Sequence, residues 1–198
     1  MCGIAGIYHL ETAKPVDPAR LRAMLQPRQH RAPDGSGEWT APGVGLAHLR
    51  LSIIDIEGSP QPMASDDEAV TLTYNGEIYN FRELRAELED RGHRFRTSGD
   101  TEVIIAAWRQ WGPDCLSRLN GMFAFAIHDH QRGCLFLARD RLGVKPLHYA
   151  RLSDGSVTFA SELKGLLRNP LLRQEANLTA IEDFLAFGYV PDDNCIVA

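Results

Sequence analysis

At 198 residues, 44% hydrophobic and 24% charged, the chain can bury a sizeable core and suits one large domain, or one domain and the start of another. A formal net charge of -5 argues against nucleic acid as the main partner, because a phosphate-binding surface is basic. Cys2, Cys115, Cys134 and Cys195 lie far apart, with no paired spacing that suggests a zinc site or a disulfide frame, and there is neither a bilayer-length apolar run nor a charged-then-apolar leader. These features point to a soluble, cytosolic protein with reduced thiols, no metal and no membrane partner.

The chain opens on Met1-Cys2-Gly3-Ile4-Ala5-Gly6-Ile7-Tyr8, in which Ile4, Ile7 and Tyr8 predict a short strand. Cys2 has two readings. Once Met1 is removed it carries a thiol and an α-amine on one Cα, both able to exchange protons near neutrality, so a single residue can be nucleophile and base. Otherwise it is a small buried hydrophobe in an ordinary strand, which these eight residues alone favour. Asp17-Pro18 predicts a helix start, with Leu21, Met24 and Leu25 as its buried stripe. Gln29 to Gly37 reads as turn chemistry, and His30, with no second ligand at useful spacing, reads as structural or solvent-facing and not as a catalytic or metal histidine. Val44 to Asp55 predicts a strand pair or one long bent strand with Arg50 at its centre. An arginine there needs an anion, either an internal carboxylate or one brought by a ligand.

Ala69 to Tyr74 predicts a strand that ends at Asn75-Gly76-Glu77. Asn-Gly after a strand favours a tight turn, yet an Asn side-chain amide beside an open glycine N–H also makes the parts of an oxyanion hole. Asn80 and Glu83 predict a capping box, followed by a helix buried through Phe81, Leu84 and Leu88 and ended by Gly92. A second helix follows Thr97 to Glu102, with Asp100 as its N-cap or as a carboxylate facing a ligand ammonium, and with Val103, Ile104, Ala107, Trp108 and Trp111 inward. Gly121 to Ile127 is apolar enough for a strand covered on both faces. Leu135–Ala138, Leu147–Ala150 and Val157–Ala160 continue the strands, and the charged stretch Arg139 to Pro146 reads as a solvated hairpin. Ser161 to Leu167 predicts a short helix, and Thr179 to Phe187 a last one with a Thr179…Glu182 capping box. Helices flanking many strands make an α+β domain of two stacked sheets.

Eight motifs in order then resemble one family: Met1-Cys2-Gly3-Ile4; Arg31…Pro33-Asp34-Gly35; Arg50 to Asp55; Asn75 to Asn80; Ser98 to Glu102; Asn120 to Phe125; Arg139 to Pro146; and Phe159 to Lys164. Together they resemble the glutaminase domain of class II glutamine amidotransferases, N-terminal-nucleophile hydrolases, and most closely that of the glutamine-hydrolysing asparagine synthetases. The resemblance implies a four-layer αββα sandwich over residues 1–175, with 176–198 leading into a synthetase domain that is absent here. It implies that Cys2 attacks the carboxamide of glutamine, with Asn75 and Gly76 as the oxyanion hole. Arg50 would then hold the α-carboxylate and Asp100 the α-ammonium, while Leu51, Ile54 and Glu77 complete the glutamine pocket.

No metal or cofactor is implied for this domain; ATP and magnesium belong to the synthetase part. The implied partners are glutamine and a C-terminal synthetase domain or separate synthetase subunit, and a homodimer is left open. Two departures accompany the resemblance. Ala32 stands where the family often has glycine. No Ser-Gly-Gly-x-Asp-Ser-like pyrophosphate loop is present, so the chain is expected to make ammonia but not asparagine by itself, as a piece of a longer protein or a free-standing subunit. The alternatives are a glutaminase serving another acceptor and a non-catalytic domain of the same fold.

Overall fold

A computed structural model describes residues 2–10, 14–31, 34–51, 59–191 and 194–197. The elements run β1 Gly3–Tyr8, α1 Pro18–Leu25, β2 Gly35–Ala41, β3 Val44–Arg50, β4 Met63–Ala64, β5 Val70–Ile78, α2 Phe81–Asp90, α3 Thr101–Trp111, β6 Gly121–Asp129, β7 Cys134–Arg139, β8 His148–Arg151, β9 Val157–Ala160, α4 Leu163–Leu166 and α5 Leu178–Phe187. Among the described residues the strands form two antiparallel sheets, β2-β3-β1-β9-β8 and β4-β5-β6-β7.

Three apolar clusters show how these sheets stack. One joins α2 and α3 to β5 and β6 through Leu84, Leu88, Ile104, Trp108, Leu72, Phe125 and Ile127. A second joins α1 and α4 to β1 and β3 through Leu21, Met24, Leu166, Ala5, Ile7 and Ala47. The third, Ile4, Val44, Leu46, Ala124, Ala126 and Phe159, lies between the sheets. Three interfaces make four layers, αββα, as the resemblance implies. Alternation along each strand assigns the faces: Ile4 on β1 and Leu46 on β3 face the seam between the sheets, while Ala5 and Ala47 face the helices. On β5 the hydroxyl of Thr73 donates across the seam to the Ala47 carbonyl at 3.2 Å, whereas Leu72 and Tyr74 pack toward α3.

Several local expectations are corrected. Residues 35–37, read as part of a turn, begin β2, an exposed edge strand paired along its length with β3. Arg50 ends β3 instead of sitting at a strand centre, and the remainder of that predicted element falls in residues 52–58, outside the described ones. The Asn80 side chain caps nothing in α2; it bridges to the segment that leads into β6, donating to the Arg118 carbonyl and accepting from the Asn120 N–H at 2.9 Å each. Asn177, not Thr179, caps α5 by accepting from the Ala180 N–H. The stretch after β7 is a crossover from one sheet to the other, not a hairpin. The Asp140 carboxylate holds it together, accepting the N–H groups of Phe123, Leu142, Val144 and Lys145 at 2.9–3.2 Å. Burial pushes Asp140 up, but those N–H groups outweigh it and keep the carboxyl below its usual range.

The largest correction concerns Asn75-Gly76. There is no turn: β5 runs through to Ile78, with Asn75 opposite Ala124 and Gly76 opposite Phe123. Glycine is required by close approach, since a Cβ on Gly76 would lie 2.2 Å from the Met122 carbonyl oxygen and 2.7 Å from the Phe123 Cα. Backbone cannot yield as a side chain does. Gly76→Ala is therefore expected to part β5 from β6 and cost about 3 kcal/mol, which at about 2–4 °C per kcal/mol lowers the melting temperature by roughly 10 °C; an unchanged thermal melt would refute this packing.

Candidate active site

Strand geometry gathers the site. Cys2 continues the seam-facing row of β1, and His48 and Arg50 occupy the same face of β3; Asn75 and Glu77 occupy the seam-facing row of β5. All five line one cavity of about 60 Å³, together with Leu51, Tyr74, Gly76, Asp100 and Lys145. Of the residues singled out in the sequence, Cys2, Arg50, Leu51, Asn75, Gly76, Glu77 and Asp100 are thus brought together. Ile54 and Ala32 lie outside the described residues.

The N-terminal strand is pinned on both sides. It pairs with β3 and β9, and beyond the ladder Ile4 N–H donates to Ser161 Oγ while Ser161 N–H donates to the Ile4 carbonyl, each at 2.9 Å. Cys2 Sγ is half-buried between two groups of Leu51: it accepts from the N–H and donates to the carbonyl, both at 3.3 Å. Backbone therefore fixes the sulfur's position, at the end of a strand with central neighbours.

On the opposite sheet, the free edge of β5 beyond the two-residue β4 supplies donors. In an antiparallel strand, N–H groups two residues apart point to the same side. Tyr74 N–H donates to Gln61 Oε1 at 2.6 Å and Ile78 N–H to Asp100 Oδ2 at 2.9 Å, so Gly76 N–H, between them, faces that same edge. Tyr79 N–H, of opposite parity, turns to the Asn120 carbonyl on the β6 side. The Asn75 side chain is 2% exposed and its Nδ2 has no hydrogen-bond partner among the described residues. A buried amide donor without an acceptor costs about 1–3 kcal/mol, so it calls for a ligand oxygen.

Asp100 stands at the N-cap position of α3, but its carboxylate makes no capping bond. It is turned into the cavity region instead, where Oδ2 accepts from the Tyr74 hydroxyl at 2.8 Å and from Ile78 N–H. Burial raises its pKa above the usual carboxylate value, the Ile78 N–H and Tyr74 hydroxyl oppose this, and the Glu77 charge adds to the rise. The loop before it is fastened twice. Glu102 accepts the N–H groups of Arg96 and Thr97, and Arg85 donates to the carbonyls of Thr97 and Gly99. Tyr74 is pushed well above the ordinary phenol pKa by burial and by the Asp100 charge, so it is a hydrogen-bond donor at neutral pH.

His48, Tyr74 and Lys145 were not among the predicted site residues. His48 shares the Arg50 face by simple alternation, a signal available in the sequence; Tyr74 faces the helices and carried none. The ring of His48 is 1% exposed, and burial, aided by the Arg50 charge and opposed by the Tyr74 carbonyl, lowers its pKa to about 4. It is neutral, with Nε2–H donating to the Tyr74 carbonyl at 3.1 Å because a carbonyl can only accept. Among the described residues no group of three or more His, Cys, Asp or Glu is arranged to hold a metal ion, and no helix is long and apolar enough to cross a membrane.

Comparison with known proteins places these features in a family. A model of the glutamine amidotransferase domain matches residues 1–198. Among curated proteins, asparagine synthetase [glutamine-hydrolyzing] 3 of Bacillus subtilis is 40% identical over 95% of this chain and 31% of its own length. Asparagine synthetase B [glutamine-hydrolyzing] of Escherichia coli is 38% identical over 96% of this chain and 33% of its own. The chain thus spans about a third of the length of these relatives. Among solved structures, glutamine phosphoribosylpyrophosphate amidotransferase from B. subtilis, complexed with ADP and GMP, superposes with a TM-score of 0.70 over 89% of this chain and 45% of that one. At 23% identity that likeness shows a shared fold. With the family match running the whole length, the chain belongs to the glutamine amidotransferase domain family.

Proposed function

We propose that this domain hydrolyses glutamine to glutamate and ammonia through a γ-glutamyl thioester on Cys2, and that the ammonia serves an ATP-dependent asparagine-forming domain or subunit. The observation that carries this is the buried, unpartnered Asn75 amide lining one cavity with the Cys2 sulfur. A buried amide donor with no protein acceptor, beside a nucleophile, suits a substrate oxygen that acquires negative charge.

Removal of Met1 frees the Cys2 α-amine. The amine, through a water, takes the thiol proton, and the thiolate adds to the amide carbon of glutamine. The carbonyl oxygen becomes an oxyanion that accepts from Asn75 Nδ2 and Gly76 N–H. The protonated amine returns its proton to the leaving nitrogen, the C–N bond breaks and ammonia departs. Water then adds to the thioester, and the Cys2 thiol is regenerated with glutamate. The Arg50 guanidinium takes the α-carboxylate and Asp100 the α-ammonium, with Leu51 and Glu77 completing the pocket among the described residues. Two opposite charges at fixed sites select free glutamine over glutamine within a peptide, because a buried charge left unpaired is expensive. The half-reaction uses no cofactor; ATP and magnesium serve the synthetase part, in the cytoplasm. Residues 1–175 form the glutaminase unit and 176–198 lead toward its partner.

The test is direct. Purified protein is incubated with a glutamine analogue bearing a diazoketone in place of the carboxamide, and its intact mass is measured. Loss of Met1 and a single adduct on Cys2, matched by ammonia release from glutamine, are expected. A retained Met1 together with undiminished ammonia release would overturn the mechanism.

A further inference from the structure

Resting on the assignment of Asp100 to the substrate ammonium, we propose that Tyr74 is a positioning residue for glutamine: its phenol aims the Asp100 carboxylate, while its own backbone ties that clamp to the sheet that carries Cys2. Tyr74 is 3% exposed and makes three hydrogen bonds with distinct purposes. Its hydroxyl donates to Asp100 Oδ2 at 2.8 Å. Its carbonyl accepts from His48 Nε2 at 3.1 Å, across the seam. Its N–H donates to Gln61 at 2.6 Å. Both donors to Asp100, the phenol and Ile78 N–H, use Oδ2, which turns Oδ1 to the remaining direction. Among the described residues no lysine or arginine forms an ion pair with Asp100. Two neutral donors thus hold the carboxylate, and its charge is kept for a ligand cation. Replacing the phenol by a cation would have neutralised the clamp; leaving it out would have left the carboxyl protonated more readily in its buried place.

The sign of the pH effect follows. The phenol favours the ionised carboxylate, so its loss raises the Asp100 pKa further and ammonium binding fades at a higher pH. The other titratable groups at this cavity are Glu77, whose charge also raises Asp100, and Cys2, His48, Arg50 and Lys145, none of which Tyr74→Phe removes.

The experiment measures binding by calorimetry on the full chain in the Cys2→Ala background, where glutamine is not consumed. The ligands are glutamine and 4-carbamoylbutanoate, which is glutamine without its ammonium. Tyr74→Phe is expected to weaken glutamine about ten-fold, as for a hydrogen bond to a charged group, and to move the acid fall-off of binding up by about one pH unit. It should leave 4-carbamoylbutanoate unchanged. Equal weakening of both ligands marks a packing fault and overturns the proposal, as does unchanged glutamine binding. Asp100→Asn separates the two levels. If it spares glutamine binding, the ammonium clamp itself is wrong. If it weakens glutamine and Tyr74→Phe does not, the clamp stands and the positioning role of Tyr74 falls.

Discussion

Cys2→Ala is expected to lower glutamine hydrolysis by about 10⁴-fold or more, the scale seen when an enzyme loses its nucleophile, with no matching loss of stability. The reason for the contrast lies in what holds the N-terminus. Cys2 contributes two weak sulfur bonds to Leu51, whereas β1 is secured by its ladders to β3 and β9 and by the reciprocal pair with Ser161. Alanine keeps the backbone and removes only Sγ, so the thermal melt should move by no more than a few degrees. Ammonia release and the melt, measured on the same preparation, decide the matter. Substantial hydrolysis by folded Cys2→Ala protein would leave the thioester route without support.

Asn75→Ala is expected to reduce kcat by about 10²–10³-fold, the typical cost of one oxyanion donor, with KM little changed because the bond strengthens only as charge develops. Stability should respond in the opposite sense to most core truncations. Asn75 Nδ2 is already buried without an acceptor, and its side chain borders an existing cavity, so truncation removes a desolvation penalty of about 1–3 kcal/mol and creates little new void. The variant should therefore be as stable as the parent or more so. A residue that merely held the fold together would show the reverse: destabilisation with activity per folded molecule intact. Steady-state kinetics and denaturant unfolding of the same sample distinguish the two.

How much of this could be read in the chain depends on the kind of information involved. Alternation and capping are local, and the short strand before Tyr8, the Asp17 cap with its 2.8 Å bond from Ala19 N–H, and the doubly covered β6 were all legible. Asn75-Gly76 misled for a physical reason. The dipeptide favours turns because glycine tolerates unusual φ, but here glycine is needed for space beside the Met122 carbonyl, which only the pairing of β5 with β6 reveals. Asn80 and Thr179 failed as caps because the local pattern cannot show which competing partner a side chain will meet; for Asn80 that partner is the chain 38–40 residues away. Residues 35–37 looked like a turn because an exposed edge strand needs little apolar side chain. That these residues meet at one cavity was legible through the family resemblance more than through the residues one at a time. Of its additional members, His48 was within reach of the period-two rule, whereas Tyr74 and Lys145 come from a helix-facing row and a crossover loop, where sequence spacing carries no directional signal.

Cys2 belongs to one sheet and Asn75 and Gly76 to the other, and beside the cavity they share the two sheets are spaced by the apolar layer of Ile4, Val44, Leu46, Ala124, Ala126 and Phe159. That layer works as a calliper: the sizes of its side chains set the gap across which, in the proposed reaction, a new carbon–sulfur bond forms. Methyl groups far from any reacting atom thereby become part of the reaction coordinate, and the small residues at 124 and 126 keep the jaws closed.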